Sequence, residues 1–81
     1  MSKNYLEQAM EVAVQATAFD RSGKVAAALY FYVECVELLN KALASGLNDA
    51  AVCGKISEYS QRISDLQKQN GEFWLRLSYL L

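Results

Sequence analysis

An all-α fold, an antiparallel up-down-up three-helix bundle, is predicted by three observations. Apolar residues recur at intervals of three and four through most of the chain, two short glycine-bearing breaks interrupt them, and proline is absent. No stretch alternates apolar and polar residues as a half-buried strand would. The chain has 81 residues, enough for one small domain in which about 60% of the unfolded surface can be buried, so long loops are not expected. An apolar fraction of 53% against 21% charged residues is that of a globular chain.

The first helix is capped by Ser2 or Asn4, with Glu7 where an acid favours the helix dipole. Its inward stripe is Leu6, Ala9, Met10, Ala13, Ala16 and Thr17, with Val12 alongside, and the alanines make it slim enough for close approach. Asp20-Arg21-Ser22-Gly23 ends it: Gly23 accepts a left-handed backbone and Ser22 is placed to cap the second helix.

The second helix is predicted from about Lys24 to Ala44. Val25, Leu29, Tyr32, Val36, Leu39 and Leu43 form its main stripe, and Ala28, Cys35 and Ala42 a line of small residues beside it. Tyr30, Phe31, Val33 and Leu38 remain. A helix at the surface of a bundle needs an apolar stripe of only about 100°, so this one can serve two neighbours within the domain and a third from outside. Tyr30 and Tyr32 point about 200° apart on a helix. Tyr32 is expected to pack with its hydroxyl reaching the surface, and Tyr30 to be a surface aromatic.

Ser45-Gly46-Leu47-Asn48-Asp49 is the second break, with Gly46 as a stop and Asn48 or Asp49 as a cap. The third helix carries Val52, Ile56, Tyr59, Ile63 and Leu66 and reaches at least Gln69, where Asn70-Gly71 is a stop signal. Residues 1–70 are thus one three-helix domain and residues 71–81 an apolar tail. Short links make consecutive helices antiparallel. Asp20 and Arg62 are positioned to pair between the first and third helices near one end of the bundle.

Several function classes are disfavoured. A net charge of −1 provides no electrostatic footprint for nucleic acid or an anionic membrane, and no apolar run reaches the roughly 18 residues that span a bilayer. Histidine is absent, and with it the commonest acid–base group. Cys35 and Cys53 lack metal-ligand spacing and are expected to be reduced, intracellular packing residues. There is no glycine-rich phosphate loop and no pair of carboxylates on a shared face, so neither catalysis nor a cofactor or metal is expected.

A partner surface remains. On the third helix Cys53, Ser57, Ser60 and Ser64 succeed one another at helical spacing and lower the surface beside the core line. With Phe31, Cys35 and Leu38 of the second helix as the other wall, they would make a groove for an amphipathic helix. The alternative is that the serines form a solvated face.

The chain resembles the MIT domain, the microtubule-interacting and trafficking module, over roughly residues 4–69. The resemblance is carried by Leu6, Ala9, Met10, Ala13, Ala16 and Asp20, then by Gly23, Val25, Ala28, Leu29, Tyr32, Val36, Leu39, Ala42 and Leu43, and finally by Ile56, Tyr59, Arg62 and Leu66 as IxxYxxRxxxL. Tetratricopeptide helices share part of this rhythm, but the chain shows no self-similarity at about 34 residues. The resemblance implies a cytoplasmic adaptor, peripheral to endosomal membranes, that binds C-terminal tail peptides of ESCRT-III subunits. It implies two grooves: between the second and third helices for a helical motif, and between the first and third for an extended one. For the latter, Met10, Val12, Lys55 and Ile63 are the residues to watch. Ser60 stands where members that bind the helical motif often carry a large aliphatic residue, and Ser64 where they carry an acid. In the tail, Phe73, Arg76, Leu77 and Leu80 have the spacing of the family's helical ligand, so residues 71–81 are either a helix extension or a ligand-like segment for self-association. A self-associating bundle without a peptide ligand is the competing expectation.

Overall fold

In the computed structural model the backbone is described for residues 4–47 and 49–80 and the side chains for residues 4–47 and 49–69. Three helices succeed one another in up-down-up order: α1 Tyr5–Arg21, α2 Val25–Ala44 and α3 Ala50–Leu80.

Each boundary has a local cause. Asn4 Oδ1 accepts the Glu7 amide at 2.8 Å and caps α1. At the far end Gly23 takes φ +76°, the Lys24 amide donates to Phe19 O and the Gly23 amide to Asp20 O. This is the left-handed glycine stop, in which amides just past the helix satisfy its orphan carbonyls. Gly46, at φ +107°, repeats the arrangement after α2, with the Leu47 amide on Ala42 O and its own on Leu43 O. Ser22 does not cap α2: its hydroxyl turns back to donate to Ala18 O at 2.6 Å, and α2 begins without a side-chain cap. Asp49 does cap α3, accepting the Ala51 amide at 2.8 Å. The stop expected at Asn70-Gly71 is absent, because α3 continues to Leu80. A helix-interior glycine costs only about 1 kcal/mol and forbids nothing in the backbone. The side chains of Phe73, Arg76, Leu77 and Leu80 lie outside the described residues.

The core has two connected parts. Ala9, Cys35, Leu39 and Val52 are buried at the end near the second turn, and Ala16, Ala28, Tyr32 and Leu66 at the other. The small residues do what their size suggests. Ala16 and Ala28, both 0% exposed, let α1 and α2 lie close together. Cys35 is buried, and its thiol donates to Ala9 O at 3.4 Å across the same seam. Phe19 of α1 stacks on Phe31 of α2 with ring centroids 5.4 Å apart. α3 packs on the other side of α2, where the Tyr32 and Tyr59 rings lie 5.6 Å apart.

α1 and α3 do not close on each other. Among the described residues no Cα of α1 comes within 8 Å of a Cα of α3. Met10, which the stripe of α1 placed inward, is accordingly 63% exposed. Cys53, expected to pack, is also exposed.

Candidate peptide-binding grooves

The gap between α1 and α3 is a trough of about 380 Å³. Leu6, Ala9, Met10 and Ala13 form its α1 wall, Val52, Lys55 and Tyr59 its α3 wall, and Cys35 and Leu39 of α2 its floor. Ala9 and Ala13 sit one turn apart on the wall, where larger residues would fill the space. Burial pushes the Cys35 thiol up to about 11, so it is a neutral, apolar part of the floor at physiological pH. Two charged residues line the α3 side: Asp49, which caps the helix, and Lys55, which donates to Glu58 Oε2 at 3.1 Å in an exposed pair. A second cleft, about 630 Å³ at the start of α1, is lined by Asn4 and Ser45, whose side chains are engaged in the α1 cap and in a bond to Ala42 O.

Beyond the trough α1 and α3 are linked by side chains alone. Arg62 Nε and an Nη donate to the two oxygens of Asp20 at 2.7 and 2.6 Å, and the Tyr32 hydroxyl donates to Asp20 at 2.8 Å. The expected Asp20–Arg62 pair is therefore present, in the bidentate geometry a guanidinium favours. Tyr32 differs from expectation: it is 4% exposed, and its hydroxyl is held by Asp20 instead of reaching water.

This cluster titrates at both extremes of pH. The Arg62 guanidinium beside Asp20 holds its carboxyl below 3.8, so its stabilisation is present above that pH and lost as pH falls through the lowered value. Burial, then Asp20, raise Tyr32 from 10.0 to about 12, so its contribution is full below pH 10 and lost as pH rises towards 12. Asp20→Asn is expected to cost about 1 kcal/mol at neutral pH, since one end of the pair is partly exposed. In urea unfolding the gap between the two proteins should close below about pH 4; a gap unchanged at pH 3 would remove Asp20 from this role.

The residues named from the sequence are divided by this geometry. Met10 and Lys55 line the α1–α3 trough. Val12 does not: it is two residues, about 200°, from Met10 and packs against the Ala9 part of the core. Ile63 is half-buried against the Leu66 part. On the α2–α3 side Ser57 and Ser60 are exposed and Ser64 half-buried. Of the α2 residues assigned to the facing wall, Cys35 lies between the two outer helices, clustered with Val52 of α3 as well as with Ala9 of α1. Phe31 and Cys35 meet α1, and Leu38 continues their line at i+7 and i+3. Tyr32 marks the side of α2 that meets α3, and Leu29 and Val36, three and four residues from it, share that side. Leu6, Ala9, Ala13, Leu39, Val52 and Tyr59 carry no groove signal in the sequence, because all six read as core.

A three-helix bundle with an open apolar trough between its outer helices can be compared with known proteins over its whole length. A family model, described as the MIT (microtubule interacting and transport) domain, matches residues 6–68. The chain belongs to the MIT family. The match covers all of α1 except its first residue, Tyr5, all of α2, and α3 as far as Lys68. Comparison with curated proteins and with solved structures found no match for this MIT domain. It is a protein-interaction module by family. Among the described residues no helix is long and apolar enough to cross a membrane.

Proposed function

We propose that this MIT domain is an adaptor that recruits the protein carrying it to C-terminal tails of ESCRT-III subunits, at the cytoplasmic face of endosomal membranes. The observation that carries the choice of site is the trough between α1 and α3. It is concave, lined almost wholly by apolar side chains, and floored by Cys35 and Leu39. Its occupant is a slim, extended apolar segment, because the floor is shallow and the walls end in small residues such as Ala13 and Ala51. The α2–α3 side, with Ser57, Ser60 and Ser64 on α3, is the weaker candidate for a helical tail, because the Phe31 ring is spent on Phe19 of α1 and the Cys35 thiol on Ala9 O.

Titration of the domain with a panel of ESCRT-III tail peptides, followed by amide chemical shifts, tests this. Shifts should concentrate at Met10, Ala13, Val52 and Lys55. Met10→Asp places a charge on the exposed lip and should weaken binding by about tenfold or more, with the melting temperature nearly unchanged because the site is a surface one. Tails that bind the Met10→Asp protein normally would move the site to the α2–α3 side. No binding by any tail would overturn the ESCRT-III assignment.

A further inference from the structure

The outward face of α2 is an apolar surface bounded by acids, and apart from Leu29, at its edge on the α3 side, its residues belong to neither groove. Leu29, Tyr30, Val33, Glu34 and Glu37 line a shallow depression of about 480 Å³ there. Their spacings of three and four residues make them one contiguous patch. Tyr30 is 65% exposed and Val33 40%. Tyr30 is nonetheless held in place: its ring stands edge-on to Phe31 at 5.2 Å and 87°, and Phe31 is itself stacked on Phe19. An exposed aromatic already fixed in orientation loses little freedom on binding.

The charges on this face are of one sign. Lys41 is spaced i+4 from Glu37, the favourable order for a helical ion pair, but its ammonium lies 5.9 Å from the centre of the Tyr5 ring, towards α1. Among the described residues neither Glu34 nor Glu37 has an ion-pair partner. We infer that this face of α2 is a docking surface for a basic amphipathic segment of a partner protein, independent of the α1–α3 trough. Apolar side chains of the segment cover Leu29 and Val33. Its lysines or arginines meet Glu34 and Glu37, and one cation can lie over the Tyr30 ring. A second copy of the chain is disfavoured as the occupant, because pairing this face with itself sets Glu34 and Glu37 against like charges.

The test uses the full 81-residue chain with an amphipathic helical peptide of leucine and lysine, and its leucine–glutamate counterpart as control. The lysine peptide should shift the amides of Tyr30, Val33, Glu34 and Glu37, and its affinity should fall as salt is raised. Tyr30→Ala, and separately the double variant Glu34→Gln with Glu37→Gln, should each weaken it by about tenfold, with helix content by circular dichroism unchanged. Equal binding of the two peptides would overturn the proposal. So would shifts confined to Met10 and Lys55, or a stable dimer of the chain alone that Tyr30→Ala dissolves.

Discussion

Leu66→Ala is expected to destabilise the domain by about 3 kcal/mol, within the range of about 2–5 kcal/mol for emptying a buried leucine site. Leu66 is 1% exposed and is, with Cys35, the largest fully buried side chain among the described residues. It packs from α3 into the cluster formed by Ala16 of α1 and by Ala28 and Tyr32 of α2. The two alanines cannot swing inward to fill the space it would leave, so the cavity persists. A domain of this size has a total stability of about 4–12 kcal/mol, so such a loss is a large part of it. The melting temperature should fall by more than about 10 °C. Val14→Ala, at a residue 69% exposed, provides the contrast and should change stability by less than about 0.5 kcal/mol. If Leu66→Ala cost no more than Val14→Ala, the packing of α3 would rest on other residues.

Ala16→Leu should be as damaging for the opposite reason. Ala16 has no exposed surface and lies where α1 and α2 approach through small residues, in the same cluster as Ala28. Overpacking such a seam costs about 1–3 kcal/mol, and more where backbones must part. Asp20 is one turn further along α1, so a shift of the helix also draws its carboxylate away from Tyr32 and Arg62. Two readouts should therefore move together: the melting temperature, and the alkaline titration of Tyr32, which should drop from about 12 towards an ordinary tyrosine. Ala18→Leu, on an exposed position of the same helix, should leave both unchanged, since alanine and leucine differ little in helix propensity. A normal Tyr32 titration in Ala16→Leu would separate the helix seam from the polar cluster.

These two residues show what periodicity can and cannot convey. The stripes that place Ala16 and Leu66 inward, and the glycines that place the breaks at Gly23 and Gly46, are local signals, and the structure obeys them. The Asp20–Arg62 pair is legible because two charges near one end of a short bundle have few other partners. The sides of α2 are not. A stripe defines which way is in, but not which neighbour lies to its left, and an up-down-up bundle can close in either hand. Periodicity therefore assigns Phe31 to the wall facing α3 although its ring stacks on Phe19 of α1, and does not show that Cys35 touches both outer helices. Met10 shows the second limit. Its place on the stripe is right, but burial needs a neighbour to cover it, and α3 stays away from α1. Asn70-Gly71 shows the third, since a weak local preference does not stop a helix whose next turns can continue.

If the trough is the ligand site proposed above, the way α1 and α3 are joined governs how a ligand would be admitted. Both rest on α2 as on a spine, and the polar link between them is the carboxylate–guanidinium contact past one end of the trough. The arrangement is that of a clothes-peg, pinned at Asp20 and Arg62, with its lips open at the exposed Met10 and Lys55. Jaws of this kind can adjust to bulky or slender contents by a small tilt of one arm, because no closely packed pair of backbones has to part across the gap. Selectivity would then be read near the pin, where the opening is fixed, and tolerance near the tips.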